Sequence, residues 1–115
     1  EVQKNITSMH QLANANRIRM HLALPIPVNE KATSDPYLQE ALLTKPTLDE
    51  YRHWMKNYAQ VQGIGPIDFY SPMLDPKTLE AKPELFADSG HPNQQGHQVM
   101  TATLLSYLIS CNLIS

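Results

Sequence analysis

The chain has 115 residues, 42% hydrophobic and 17% charged, which fits one globular domain or part of one. Nine Lys and Arg against eleven Asp and Glu leave a net charge of -2; with no basic stripe to neutralise phosphates, the balance argues against nucleic acid as a partner. The longest apolar stretch, Leu104 to Ile114, is broken by Ser106, Ser110, Cys111 and Asn112 and falls short of the ~20 residues a bilayer span requires.

Val2, Ile6, Met9, Leu12 and Ala13 recur at helical spacing, so residues 1–15 read as an amphipathic helix ended by Asn14 and Asn16. Ile18, Met20, Leu22 and Leu24 then alternate with Arg17, Arg19, His21 and Ala23, a strand pattern stopped by Pro25 and Pro27. Residues 25–46 hold four prolines and read as a functional loop or lid with one short helix, Pro36 to Leu43, inside it. Thr47 with Glu50 forms a capping box that predicts a second helix through Leu48, Tyr51, Met55, Tyr58 and Ala59, ended by Gly63. Core packing is expected of that stripe, with Trp54 alone facing a cleft. Residues 65–70 read as a second buried strand and residues 71–83 as irregular chain. From Pro92 to Leu113 a last helix is expected to turn Val99, Met100, Leu104, Leu105, Leu108 and Ile109 inward, with Cys111 an inert core thiol. The order helix, strand, helix, strand, helix predicts a parallel α/β architecture. Two strands make a poor sheet, so the 115 residues read as a single incomplete domain. The start at Glu1, without an initiator Met or an apolar leader, fits a processed or shortened segment.

The chemistry concentrates in Phe86-Ala87-Asp88-Ser89-Gly90-His91-Pro92-Asn93-Gln94-Gln95-Gly96-His97. Asp88 and His91 stand three apart across a Ser-Gly turn, so both side chains converge without a long loop closure, and Pro92 suits the first position of the following helix. A histidine general base needs one ring nitrogen free for the nucleophile and the other held by a carboxylate, and Asp88 can do the holding. The plainer alternative is a turn in which His91 only starts the last helix, making the chain a non-catalytic α/β fragment or interaction module. Ser89 lies inside the turn and is expected to bond turn backbone rather than attack a substrate; Ser34 and Ser71 read as turn formers. Asp68 is expected to accept loop amides, and Asp75-Pro76 to make a turn. His10, His21 and His53 read as surface residues, and His97 as packing or capping near the start of the last helix. No metal-ligand spacing is present, and no cofactor is expected.

Asp-Ser-Gly-His-Pro-Asn-x-x-Gly-His-x-x-Met, residues 88–100, resembles the last block of the SGNH (GDSL-type) lipase-esterases, typically Asp-x-x-His-Pro-Asn followed by Gly and an aromatic residue or His. Residues 5–25 resemble the helix and strand that follow the family's Gly-x-Asn-Asp block, and residues 67–75 the strand ahead of its final block. The resemblance implies the C-terminal portion of a flavodoxin-like three-layer α/β/α sandwich with a parallel sheet. It also implies a serine ester hydrolase in which Asp88 and His91 complete a catalytic triad. No Gly-Asp-Ser and no Gly-x-Asn-Asp occurs in the chain, so the nucleophile and oxyanion donors are expected from an N-terminal half of the same domain, and the chain alone is expected to be inactive. Expected partners are that half, an ester substrate such as an acetylated sugar or a lipid-like ester, and a second copy across the open sheet edge. A secreted or periplasmic setting is expected ahead of a cytoplasmic one.

Overall fold

A computed structural model describes residues 1–114. Three α-helices, α1 (Val2–Ala15), α2 (Leu38–Gln62) and α3 (Gln94–Ser110), are joined by extended and looped chain carrying short 3-10 turns at Ser71–Met73 and Pro83–Leu85. No helix among the described residues is long and apolar enough to cross a membrane.

Helix α1 ends where its asparagines predicted. The Asn16 amide N–H donates to the Leu12 and Ala13 carbonyls, its side-chain Nδ2 donates to Leu12 O at 2.8 Å, and Arg17 adopts a left-handed backbone (φ 58°) that lets the Ile18 N–H reach Ala13 O. The following segment is extended with the predicted parity: Leu22 and Leu24 are buried, whereas Ile18 is exposed. Its neighbour is residues 64–67, joined in parallel register at Ala23 and Ile67 through three backbone bonds: Leu22 N–H to Ile64 O, Ile67 N–H to Leu22 O, and Leu24 N–H to Ile67 O (2.8–2.9 Å). Parallel neighbours need a long crossover, and α2 supplies it. The bridge is isolated, so the parallel sheet expected from the sequence is not formed among the described residues. Peptide groups alternate in direction along an extended chain, and those of His21 and Ala23, which face the other edge, pair with no backbone among the described residues.

Helix α2 corrects two expectations. The short helix placed at Pro36 to Leu43 and the helix opened by a Thr47 capping box are one continuous element, with Pro46 inside it and Thr47 no cap. Pro46 deletes a single donor, the one Leu42 O would have received, on an exposed turn that Lys45 and Asp49 bridge at 3.3 Å. Gly63 ends the helix in the left-handed region (φ 69°), with the Ile64 N–H returning to Ala59 O. Two residues on, Gly65 (φ 139°) passes Leu22 so closely that a Cβ would stand 2.8 Å from the Leu22 carbonyl oxygen.

Two apolar clusters result. Ile6, Leu22, Leu24, Met55, Ala59 and Ile64 bury each other between α1, α2 and the extended pair, with Tyr51, Trp54 and Tyr70 packed around them. Trp54 packs at the core edge, its ring set at 84° against Tyr58, and with Thr7, Asn57 and Val61 it lines a cleft that includes neither Asp88 nor His91. Met73, Ala81, Leu85 and Phe86 form the second cluster, which receives Val99 and Met100 of α3. Beyond that first half α3 departs from expectation. Leu104, Leu105 and Ile109 are 37–49% exposed, because no apolar element among the described residues covers their face. Cys111, expected in a core, is half-buried at the helix end beside Tyr107.

Two histidines expected at the surface are not there. His10 shares the Ile6 face of α1 and is buried, with Nδ1 2.9 Å from the Tyr58 hydroxyl. Nδ1 of His21 lies 2.8 Å from the Tyr107 hydroxyl, so α3 covers the face that the alternation assigned to solvent. His53 is exposed as expected.

The fastener at the other end of the extended pair is Arg52, 7% exposed on the apolar face of α2. Its Nε donates to Pro25 O (3.1 Å), Nη2 to Ile26 O (3.2 Å) and Nη1 to Asp49 Oδ1 (2.6 Å), while the guanidinium lies 3.8 Å over the Tyr70 ring. One cation thus ties the exits of both extended segments to the helix between them. Arg52→Ala is expected to lower the unfolding free energy by about 3 kcal/mol, the scale for stranding buried acceptors of a charged donor. Urea denaturation reads this directly, and an unchanged midpoint would contradict the assignment.

Candidate active site

Antiparallel pairing of Phe86 with Pro92, reinforced by the Ala87 N–H donating to His91 O (2.8 Å), pinches residues 88–91 into a turn. Asp88 organises it from within: its Oδ1 accepts the amide N–H of Gly90 (2.8 Å) and of His91 (2.7 Å). The same carboxylate meets the ring of its turn partner, with His91 Nδ1 2.9 Å from Oδ2 and 3.0 Å from Oδ1. An ionised carboxylate only accepts, so Nδ1 carries the hydrogen and Nε2 bears the lone pair when the ring is neutral. The His91 side chain is 80% exposed, and among the described residues Nε2 has no hydrogen-bond partner. The Gly90 amide above all, then the His91 ring and amide, hold the Asp88 carboxyl below its ordinary 3.8 against the upward pull of desolvation.

The turn is braced from two sides. Towards α3, the expected start at Pro92 is corrected: Asn93 is the N-cap and Gln94 the first helical residue. Asn93 Oδ1 accepts the Gly96 N–H (3.0 Å), while its Nδ2 donates to Glu84 O (2.7 Å) and its own N–H to Leu85 O (2.9 Å). Gly96 is the position where α3 crosses the Pro83–Leu85 turn, and a Cβ there would collide with the Leu85 carbonyl oxygen and come within 2.8 Å of Pro92 Cβ. On the other side stands the loop leaving the first extended segment. Asn29, itself buried, donates its N–H to Ser89 O (2.9 Å) and its Nδ2 to Asp88 O (3.4 Å), and Asp35 Oδ2 accepts the Ser89 N–H (2.9 Å). The proline-rich stretch named above thus supports the turn from the carboxyl end of the extended pair, the end at which open α/β sheets place their ligands.

Other candidates fall into lesser roles. Ser89 is buried within the turn. Asp68 Oδ1 accepts the Tyr70 and Ser71 amides, both at 3.0 Å, and Asp75 Oδ1 those of Lys77 and Thr78, as the sequence indicated. His97 is exposed on the first turn of α3, its N–H bonded to Asn93 O. Sequence reasoning missed Asn29, Asp35 and Arg52. Only Arg52 left a signal, a cation at the i+4 position between Leu48 and Met55 on an apolar stripe.

No protein-family model matches the sequence, and no curated protein matches it. Solved structures do. A GDSL-like lipase from Bacteroides thetaiotaomicron superimposes with a TM-score of 0.77 at 25% identity over 95% of this chain and 51% of its own. An acylhydrolase candidate from Bacteroides fragilis gives 0.74 at 27% identity, over 95% of this chain and 50% of its own. Over nearly its whole length the chain is similar in structure to GDSL-type lipases and acylhydrolases. A lipolytic-protein candidate of the G-D-S-L family from Desulfitobacterium hafniense shares the fold at TM-score 0.64 and 24% identity, over 89% of this chain and 51% of its own. The chain shares the α/β fold class of these GDSL-type hydrolases, and it spans about half the length of each of the three.

Two outcomes test the geometry. Gly96→Ala is expected to destabilise the chain by about 1–3 kcal/mol, the cost of forcing one extra carbon into a filled contact, and equal urea midpoints for the two proteins would refute the crossing. The Asp88 carboxylate stabilises the turn fully above 3.8, the ordinary value it has when unfolded, and that contribution is lost as pH falls through its lower folded value. A carboxyl-carbon NMR titration should therefore place the Asp88 midpoint below 3.8; a midpoint at or above that value would show the three hydrogen bonds are not made.

Proposed function

We propose that this chain supplies the acid-base half of a carboxylic ester hydrolase, with His91 as general base and then general acid, and Asp88 as the group that orients it. The single observation carrying the reading is a ring held at Nδ1 by a carboxylate 2.9 Å away and open to solvent at Nε2. That arrangement fixes the tautomer that can take a proton from a hydroxyl nucleophile, and it stabilises the imidazolium formed as it does so. The hydrolase neighbours supply the reaction class.

In this reading the 115 residues are the C-terminal portion of one domain, a three-layer α/β/α sandwich when whole. The other half brings the serine and the donors that stabilise the oxyanion. Support comes from the half-length match and from two surfaces that lack cover: the Leu104, Leu105 and Ile109 face of α3, and the free edge at His21 and Ala23. A second copy of the chain competes for the same surfaces when the other half is missing. The substrate class is a carboxylic ester, an acetylated sugar or a lipid-like ester, and the setting is secreted or periplasmic.

Reassembly tests this. The chain is mixed with an N-terminal half bearing the Gly-Asp-Ser block, and hydrolysis of p-nitrophenyl acetate is followed. Activity should appear in the complex, fall by roughly 10²–10⁴-fold with His91→Ala and persist with His97→Ala. A folded complex without hydrolysis would instead favour a non-catalytic α/β module.

A further inference from the structure

Ser89, between Asp88 and His91, is 4% exposed although both neighbours in the turn reach solvent. Its backbone is fully engaged from outside the turn. The N–H donates to Asp35 Oδ2 at 2.9 Å, and the carbonyl accepts the Asn29 N–H at 2.9 Å. The Ser89 side chain, ahead of the Tyr37 and Ser89 amides, holds the Asp35 carboxyl below its ordinary value.

Asp35 is itself immobilised. Its second oxygen accepts the Tyr37 N–H (2.8 Å), its own N–H donates to Ala32 O (3.0 Å), and its carbonyl accepts from Leu38, the first residue of α2. The carboxylate is therefore a bracket between the start of a 25-residue helix and the middle residue of the turn.

We infer that Asp35 is a positioning residue for the Asp88–His91 pair, acting through Ser89 to set the plane of the Asp88 carboxylate against His91 Nδ1. The inference rests on the acid-base reading given above. Asp88 bonds its own turn amides and the ring with the same oxygen, so its plane follows the turn. A turn held only by those internal bonds can rock as a unit. Fixing Ser89 N–H and C=O to a different part of the chain removes that freedom, and His91 inherits a defined direction. Two partners from one loop, Asn29 on the carbonyl and Asp35 on the amide, fix both backbone polar groups of Ser89. The burial of Ser89 makes those bonds costly to lose, because a stranded amide there has no water to replace its acceptor.

Ring ¹⁵N shifts of His91 in the 115-residue chain give the test, since they report the fraction of neutral imidazole protonated at Nδ1. The unmodified chain should show an excess of the Nδ1–H form. Asp35→Ala should reduce that excess at least two-fold while the His10 and α1 resonances stay in place. Ser89→Ala, which keeps the amide bond and deletes only the hydroxyl, should move it the same way by less, and it serves if Asp35→Ala does not fold. Folded variants with an unchanged Nδ1–H fraction would overturn the role of Asp35 and leave the acid-base pair intact. An unmodified chain with no Nδ1–H excess would overturn the pair itself, and the inference with it.

Discussion

A single carboxylate, that of Asp88, does two jobs that would otherwise conflict. It folds its own turn by accepting the amides of Gly90 and His91 at Oδ1, and it grips the His91 ring with Oδ2 and that same Oδ1. A carboxylate has about four acceptor sites, so the tasks are compatible only when turn and ring lie on one side of it. The three-residue spacing achieves this, and the Phe86–Pro92 pairing closes the turn at its base. All else near the site keeps this small unit from moving: Asn93 and Gly96 dock it on α3, and Asn29 and Asp35 dock it on the loop that leaves the first extended segment.

That loop is in turn placed by Arg52. A guanidinium presents a planar fork of donors, which lets one side chain hold two successive carbonyls, a carboxylate and an aromatic face together. Burying so polar a group in a small core is tolerable because Nε, Nη1 and Nη2 each have an acceptor. The consequence reaches the site, since Pro25 and Ile26 lie only a few residues ahead of Asn29. Backbone fixed at one end of the loop is backbone available to bond Ser89 at the other.

Much of this was legible in the residues. The 3.6-residue spacing of Ile6 and its neighbours marks α1, the parity of Leu22 and Leu24 marks the buried face of the first extended segment, and Gly63 marks the end of α2, because each depends on local chain geometry. Asp88 and His91 were readable for the same reason, being partners three residues apart. What could not be read depends on distant chain. Asp35 bonds a residue 54 positions away and His21 one 86 away, and no periodicity encodes such pairs. Thr47 carried a capping signal that α2 overrode by running straight through Pro46, and the apolar stripe of α3 predicted burial that no element among the described residues provides.

Proton spectroscopy of the His91 Nδ1–H reaches the central claim most directly. A hydrogen held between imidazole and carboxylate resonates far downfield, its correlation to the ring nitrogen assigns it, and on a ring 80% exposed it is recorded just above freezing, where exchange with water is slowed. The account requires that resonance in the unmodified chain and its disappearance in Asp88→Ala. Its persistence in Asp88→Ala, or its failure to appear in a folded chain, would mean that Asp88 does not hold the ring.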